Sequence, residues 1–169
     1  MVDLDARPAP TPFSEKVGLS AVRYMEAINL SLFRLSKGKV GGTIFGVPVI
    51  LLTASGRTTG ARYTKPLLAL EDGESWIVAG SRGGTRNHPD WFENLMAFAQ
   101  HEAGSAALAP PEVEAAGREP VPVRAEVLEG AVRDEWWARL VDVYSRFASY
   151  QARSPAREIP VVRLTPATH

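Results

Sequence analysis

The sequence contains no cysteine, no excess of either charge and no apolar run approaching the roughly 18 residues of a membrane-spanning helix. Without thiols it cannot form disulfides, iron–sulfur clusters or thiolate zinc sites, so redox chemistry would require a bound cofactor. The 19 basic side chains are balanced by 19 acidic ones, which argues against a nucleic-acid-binding protein. Because the N-terminus does not read as a signal peptide, we expect a cytoplasmic protein.

The 169 residues are 45% apolar, enough for one ordinary folded domain. Residues 1–12 hold three prolines and no apolar period, which is typical of a flexible arm. We therefore predict an N-terminal arm over 1–12 followed by a single domain over 13–169.

The spacing of apolar residues predicts an α+β fold. It indicates helices over 14–36, 89–100 and 129–152, and strands over 47–53, 62–70, 75–81, 121–128 and 159–164. Residues 101–120 read as a surface excursion with room for one short strand near Val113. Because strands and helices do not alternate regularly, this order favours a small, mostly antiparallel barrel with helices packed around it.

Basic residues without acids occupy two segments that flank a predicted hairpin. They are Arg57, Arg62 and Lys65 in one segment, and Arg82 and Arg86 in the other. Cations beside two Gly-rich loops and a helix start favour a phosphate or another anion. The alternative is that both segments are solvated hairpin tips, where Gly, Thr and Arg are common.

The hairpin turn signal Asp72-Gly73 suggests a register for the flanking strands. If Leu70 pairs with Ser75, then Tyr63 lies opposite Arg82, because antiparallel partners keep a constant sum. This register predicts that both basic segments share one end of the sheet.

Other possible sites carry weaker signals. No recognised metal-ligand spacing joins His88, Asp90, His101 and Glu102, so we predict no metal. No nucleophile elbow of a hydrolase is present. Among the C-terminal aromatics, Phe147 and Tyr150 share a helix face. They fit either core packing or contact with a ligand through the phenol.

Several motifs together resemble the deazaflavin-dependent nitroreductase family, whose members use coenzyme F420. They are Pro48-Val49-Ile50-Leu51-Leu52-Thr53, Gly56-Arg57-Thr58-Thr59-Gly60, Pro66-Leu67, Ala79-Gly80-Ser81-Arg82-Gly83-Gly84, His88-Pro89-x-Trp91-x-x-Asn94-Leu95, Tyr144-x-x-Phe147-x-x-Tyr150-Gln151 and Arg157-Glu158-Ile159-Pro160-Val161-Val162. The similarity covers residues 40–100 and 121–165 in order.

The resemblance implies a split β-barrel of the FMN-binding-like kind that binds a reduced 8-hydroxy-5-deazaflavin. Its hydride would pass to an electron-poor hydrophobic acceptor, which is a quinone, an activated enone or a nitroaromatic. Two alternatives stay open. One is an FMN-dependent split-barrel reductase or oxidase, and the other is a non-catalytic deazaflavin carrier.

The resemblance also implies the roles of individual residues. Ser81, Tyr144 and Tyr150 would stabilise developing charge or supply the proton, and Phe147 and Tyr150 would contact the acceptor. The cofactor would be bound by Arg57, Thr58, Thr59, Gly60, Arg62, Tyr63, Lys65, Pro66, Ala79, Gly80, Ser81, Arg82, Gly83, Asn87, Trp91 and Asn94.

The sequence departs from the family pattern at three places. Arg62-Tyr63 reverses the expected order, so the side chain that meets the phosphate is not fixed. Phe147 stands where some members have tyrosine, which removes one proton donor. Residues 98–112 read as an insertion.

Helix 14–36 carries an apolar stripe together with Lys16, Arg23, Arg34 and Lys37. It could touch the inner face of the membrane, as would suit a quinone acceptor, or it could cap the pocket. The oligomeric state and the physiological acceptor are not determined by these patterns.

Overall fold

The computed structural model describes residues 30–44, 46–101 and 108–167. The strands are β1 Thr43–Ile44, β2 Val47–Ser55, β3 Arg62–Asp72, β4 Ser75–Ala79, β5 Glu112–Glu114, β6 Val121–Val127 and β7 Val161–Pro166. The helices are α1 (30–35), α2 (Asp90–His101), α3 (Gly130–Val143) and α4 (Arg146–Arg153), with a 3₁₀ turn at Arg82–Gly84.

The strands form a closed antiparallel barrel. Their order is β1-β2-β3-β4-β7-β6-β5, and β5 also pairs with β2. Six strands therefore close on themselves, while β1 attaches to β2 outside the ring. The predicted α+β antiparallel barrel with flanking helices is confirmed.

Alternation along the strands divides the core between the barrel and its surrounding helices. On β4, Trp76 and Val78 belong to the cluster that also holds Leu95 of α2, and Ile77 belongs to the cluster beneath α3 and α4. Phe33 of α1 packs in a third cluster on β2. Both faces of the sheet are thus covered, and the helices lie in fixed positions against it.

The predicted register of the β3–β4 hairpin is wrong by two residues. Asp72 pairs with Ser75, so the two turn residues are Gly73 and Glu74, and Gly73 adopts a left-handed φ of 62°. Beyond Ala69, β3 pairs with β2 alone, and Tyr63 lies opposite Ala54 rather than Arg82. A long strand changes partners in this way because the strands of a closed barrel are staggered and tilted.

The single helix predicted over 129–152 is also wrong, because the chain breaks it into α3 and α4. Tyr144 has φ −144° and ψ 85°, which end α3, and α4 starts at Arg146. The apolar spacing continued across the junction because Tyr144 and Phe147 both pack on the same cluster as α3.

The remaining boundaries agree within two or three residues, and the strand expected near Val113 is β5. Of the predicted helix 14–36, residues 14–29 lie outside the described residues, as does the arm 1–12. Residues 30–35 are helical, and left-handed φ angles at Lys37 and Gly38 follow the helix.

Candidate cofactor and active site

Arg57 anchors the turn between β2 and β3 to helix α2. Its backbone N–H donates to Oδ1 of Asn94 at 3.1 Å, and its guanidinium donates to the same oxygen at 3.3 Å. The guanidinium also forms a 2.7 Å ion pair with Glu93. Because Asn94 is only 6% exposed, this satisfied amide oxygen fixes the turn relative to α2. Two predicted cofactor-binding residues, Arg57 and Asn94, are therefore in contact.

The tip of the same turn is exposed and is bordered by an aromatic ring. Thr58, Thr59 and Gly60 are exposed, and Gly60 donates its N–H to the Gly56 carbonyl at 2.8 Å. A Cβ on Gly56 would lie 2.8 Å from Cε2 of Tyr63, so glycine allows the ring to pack against the turn. Tyr63 is half exposed.

Arg62 points its charge away from this turn and towards the segment that precedes β5. Its guanidinium donates to the carbonyls of Ala109 and Pro110 and forms a 2.7 Å ion pair with Glu112. The reversed order Arg62-Tyr63 thus places the aromatic ring at the turn and pairs the cation with β5.

Four further predicted residues lie between or beside these elements. Lys65 and Pro66 are partly buried in β3, opposite Leu52 and Leu51 of β2. Asn87 is exposed just before α2, and Trp91 packs partly buried against the barrel cluster.

The loop after β4, residues 80–85, has an unusual backbone. Arg82, Gly83 and Gly84 have consecutive φ angles of 44°, 64° and 79°. A Cβ on Gly84 would lie 2.5 Å from the backbone oxygen of Tyr150, so only glycine fits there. A left-handed arginine is uncommon and costs energy, which makes this loop a functional candidate.

Two arginines near the end of α4 hold this loop in place. Arg153 donates to the carbonyl of Gly83 at 3.0 Å. Arg157 donates to the carbonyls of Ser81 at 2.9 Å and Thr85 at 3.0 Å. Sequence reasoning missed both arginines as site residues. Their signal was a third basic segment over 143–157 that contains no acid, and Arg157 stood in a motif already singled out.

The break between α3 and α4 brings two phenols together. The hydroxyls of Tyr144 and Tyr150 lie 3.3 Å apart, and Phe147, 5% exposed, packs edge-on against both rings. Burial, followed by the hydrogen bond to Tyr150, raises the pKa of Tyr144, so this phenol keeps its proton at neutral pH. The predicted catalytic and acceptor residues of α4 therefore form one cluster.

His88 lies between the loop and α2. Its Nδ1 is 3.4 Å from a guanidinium nitrogen of Arg157, and its ring centroid is 4.9 Å from that of Phe92. Burial and then the charge of Arg157 lower the pKa of His88, while Glu93 opposes them. The imidazole is therefore held neutral at pH 7.

The start of α2 joins the two basic loops. Arg57 reaches this helix at Glu93 and Asn94, and Arg82 donates to the carbonyl of His88 just before it at 3.0 Å. Although the predicted hairpin register was wrong, both loops contact the same helix end. The helix, rather than strand pairing, brings them to one region of the surface.

Two cavities in the described part of the chain lie away from these residues. One of about 140 Å³ lies beside Leu95 and Arg124, between α2 and β6. Another of about 360 Å³ lies beside Leu70 and Trp136, between β3 and α3. No predicted site residue lines either cavity, and the candidate site comprises loops 56–61 and 80–85, the start of α2 and helix α4.

Residues 30–44, 46–101 and 108–167 form neither a metal-binding cluster nor a membrane-spanning helix. No group of three or more His, Cys, Asp or Glu side chains could hold a metal ion there. Within the same ranges, every helix is too short or too polar to cross a membrane.

Comparisons with known proteins agree with the resemblance noted in the sequence. The family model described as F420H(2)-dependent quinone reductase matches residues 27–166. A putative F420H(2)-dependent quinone reductase of Mycobacterium tuberculosis is 33% identical over 123 residues, which cover 71% of this chain and 91% of that protein. Another F420H(2)-dependent quinone reductase of that organism is 31% identical over 159 residues, covering 88% and 92%.

Solved structures show the same relationship. A chain described as F420-H2 dependent reductase FDR-A superposes with a TM-score of 0.57 at 29% identity, covering 69% of this chain and 93% of that one. A second chain, described as a domain-swapped dimer, gives a TM-score of 0.57 at 26% identity, covering 89% and 98%. The predicted F420-dependent reductase, with coenzyme F420 as its cofactor, is confirmed in preference to an FMN enzyme or a non-catalytic carrier. The chain belongs to the F420H(2)-dependent quinone reductase family.

Proposed function

We propose that this protein transfers a hydride from reduced F420 to a quinone, at the surface formed by loop 80–85 and helix α4. The observation that carries the proposal is the contact between these two elements. The backbone of Gly84 lies against that of Tyr150, and Arg153 ties α4 to Gly83. The loop that carries Ser81 is thus in contact with the helix that carries Tyr150. Hydride transfer with proton donation requires the participating groups to lie close together.

The residues present fit the cofactor. F420 carries a phosphate and a tail of glutamates, which require cations, and Arg82 and Arg86 are exposed in the loop before α2. The loop itself is closed by backbone hydrogen bonds, since the N–H of Gly84 donates to the carbonyl of Ser81 at 2.9 Å and that of Thr85 to the carbonyl of Arg82 at 3.4 Å. We propose that Lys65 and Arg82 hold the phosphate.

The other proposed cofactor contacts border the ring and the tail. Residues 79–83, Tyr63 and Pro66 would hold the ring, and the turn 57–60, Asn87 and Trp91 would hold the tail. Asn94, whose buried amide oxygen accepts from Arg57, would contribute by fixing that turn. Since Arg62 is paired with Glu112, we propose that it shapes the edge of the site rather than binding the phosphate.

The chain's own role in the reaction is to position, to exclude water and to supply a proton. Reduced F420, when bound, supplies a hydride equivalent. Hydride addition to a quinone leaves negative charge on an oxygen, which the hydroxyl of Ser81 can stabilise. Tyr150 donates a proton to that oxygen, giving the hydroquinone, and Tyr144 hydrogen-bonds to Tyr150. Phe147 supports the Tyr150 ring that contacts the acceptor.

The acceptor is tested with a panel assayed anaerobically against reduced F420. We expect a naphthoquinone to give the highest kcat/KM, with an activated enone and a nitroaromatic at least tenfold lower. If the nitroaromatic or the enone is preferred, that compound class replaces the quinone as the proposed acceptor. Failure of all three to oxidise bound reduced F420 would overturn the proposed reaction.

We also propose that the end of α1 touches the inner membrane surface, where a lipophilic quinone would be found. Leu32, Leu35 and Val40 are 44%, 84% and 50% exposed. The exposed side chains of Lys37 and Lys39 lie between Leu35 and Val40 in the sequence. Apolar side chains flanked by lysines suit the interface of an anionic bilayer.

Sedimentation with vesicles tests this contact. The wild-type chain should sediment with vesicles that contain anionic lipid, and Leu35→Ser should reduce the bound fraction severalfold. Val132→Ser on α3 is the matched control, because Val132 is 48% exposed and distant in sequence from α1. Equal binding by the wild type and Leu35→Ser would contradict the contact.

A further inference from the structure

The guanidinium of Arg157 donates hydrogen bonds to three backbone carbonyls of the loop that carries Ser81. Arg157 donates from Nη1 to the carbonyl of Gly80 at 3.2 Å, from Nη2 to Ser81 at 2.9 Å and from Nε to Thr85 at 3.0 Å. The three acceptors lie 72 to 77 residues away in sequence and on both sides of the 3₁₀ turn. A single planar group therefore sets the distance between the start and the end of the loop.

The loop needs such support because its backbone is strained. Arg82 is a non-glycine residue with φ of 44°, and Gly83 and Gly84 continue in the left-handed region. A conformation of this kind persists only where the surroundings impose it. The carbonyl of Gly83 is held separately by Arg153, and that of Thr85 is also held by the hydroxyl of Ser154 at 3.2 Å.

Arg157 is itself fixed to the helix that carries the phenols. Gln151 of α4 donates from Nε2 to the carbonyls of Arg157 at 2.8 Å and Ser154 at 3.2 Å, and its Oε1 accepts from the N–H of Ile159 at 2.7 Å. Gln151 follows Tyr150 directly in sequence. Arg157 therefore joins α4 and the Ser81 loop through bonds that are independent of any ligand.

The position of Arg157 beside a second cation indicates that its contacts with the loop do more than pack the chain. Arg157 is partly buried close to a second cation, Arg82, and both burial and that charge lower the pKa of its guanidinium. Placing two cations close together costs stability, because their charges repel. An anionic ligand on the loop would offset that repulsion.

We propose that Arg157 is the positioning residue of this site: it holds the Ser81 loop at a fixed distance from Tyr150. The inference rests on the proposed function, because it assigns both elements to the reaction. It predicts that Arg157 affects turnover through loop geometry without touching the acceptor. A displacement of about 1 Å at such a site can lower turnover about 100-fold.

The test compares Arg157→Gln and Arg157→Lys with Arg163→Gln. Arg163 is a matched control, since its partly buried guanidinium also bridges separate strands through Asp72 and Glu126. We expect Arg157→Gln to lower kcat about 10- to 100-fold and to weaken F420 binding, with Arg157→Lys restoring part of the loss. Arg163→Gln should lower Tm and leave kcat within about twofold. Unchanged kcat in folded Arg157→Gln, or an equal loss in Arg163→Gln, would overturn the positioning role.

Two readouts on the protein without cofactor separate this inference from the proposed function. In Arg157→Gln, backbone amides of residues 81–85 should exchange with solvent faster, and the pKa of His88 measured by NMR should rise because a neighbouring positive charge is lost. Both changes are expected even if no tested acceptor is reduced. If the amide exchange rates stay the same, the inference fails although the reductase function stands.

Discussion

At the scale of single residues, the cations around the loops divide into those already paired and those available to a ligand. Arg57 and Arg62 each meet a carboxylate at 2.7 Å, whereas within the described part of the chain the exposed Arg82 donates to a backbone carbonyl and forms no ion pair. A guanidinium that has no carboxylate partner in its immediate contacts keeps more of its charge for an anion. This distinction was invisible in the sequence, where all three arginines count alike.

We predict that Arg82→Ala weakens F420 binding by about 1.5–3 kcal/mol, the scale for a lost hydrogen bond to a charged group. The measurement is a fluorescence titration of F420 at fixed ionic strength. Arg139→Ala is the control, because the exposed pair of Arg139 with Glu135 on α3 contributes about 0–1 kcal/mol and lies on another element. If the wild type and Arg82→Ala bind F420 with equal affinity, the phosphate is bound by other residues.

Tyr150→Phe should lower kcat at least tenfold and change F420 affinity little, because the hydroxyl is removed and the ring that packs on Phe147 remains. The pKa of Tyr144 should also fall, since the hydrogen bond to Tyr150 is one cause that raises it. Steady-state kinetics and an ultraviolet titration of the phenols measure the two effects. Ser75→Ala provides the contrast: it removes a hydroxyl that hydrogen-bonds to Thr165 at the β3–β4 hairpin, away from the site, and should leave kcat nearly unchanged. A Tyr150→Phe enzyme as fast as the wild type would remove this phenol from the reaction.

The pKa of His88 predicts a specific loss of stability in acid. The folded pKa lies below the ordinary value of 6.5, so the unfolded chain binds more protons below that pH. The contribution of His88 is therefore present above pH 6.5 and is lost as the pH falls through the folded value. A plot of Tm against pH should be flatter for His88→Asn, and Glu93→Gln should lower the pKa of His88 further. A pKa at or above 6.5 in the wild type, measured by NMR, would contradict this prediction.

At the scale of elements, the sequence predicted the strands well because alternation and apolar runs are local properties. The pairing partners of the strands were harder to predict. Strand β3 pairs with β2 before Ala69 and with β4 from Ala69 onwards, and no local sequence pattern marks that change. The turn sequence Asp72-Gly73 was recognised, but its strand contains Asp72, which shifted the register by two residues. Tertiary closure of the barrel, rather than turn chemistry, sets this part of the fold.

The break between α3 and α4 was missed for a related reason. Apolar residues recur across it at helical spacing, and no Pro or Gly marks residues 144–145. In one continuous helix Tyr144 and Tyr150 would lie about 120° apart around the axis and about 9 Å apart along it, so their hydroxyls would not meet. The site therefore depends on an irregularity that periodicity cannot reveal.

Proline substitution tests the break. Ser145 has φ −56°, which proline also adopts, and it lies between the helices. Ser145→Pro should therefore change Tm by no more than about 4 °C. Ala138→Pro inside α3, also at an exposed position, should cost about 3 kcal/mol and lower Tm by about 6–12 °C. Equal destabilisation by the two prolines would mean that a regular helix continues through residue 145.

At the scale of the whole molecule, the closed barrel and the helices packed on it hold the site elements in fixed places. Of the residues implied by the family resemblance, Arg57 and Asn94 are in contact, and Tyr144, Phe147 and Tyr150 form one cluster. The arginines that fix loop 80–85 were not singled out, because their role lies in reaching carbonyls 70 or more residues away.

Cofactor binding should be visible in the stability of the whole chain. At a free F420 concentration of 100 times Kd, binding adds about 2.7 kcal/mol, which raises Tm by about 5–10 °C for a chain of this size. FMN at the same concentration should give little shift. A larger shift with FMN than with F420, or a yellow protein with an FMN spectrum on purification, would contradict the assigned cofactor.

The pairing of β5 with both β2 and β6 closes the ring, but not every strand is paired along both flanks. In the described part of the chain, the stretch of β3 before Ala69 pairs with β2 alone. A strand flank of this kind can accept an incoming strand, and charged side chains on it disfavour such pairing. Because Arg62 and Lys65 lie on this stretch, crowding at high concentration should favour contacts between side chains over the backbone ladders from which fibrils grow.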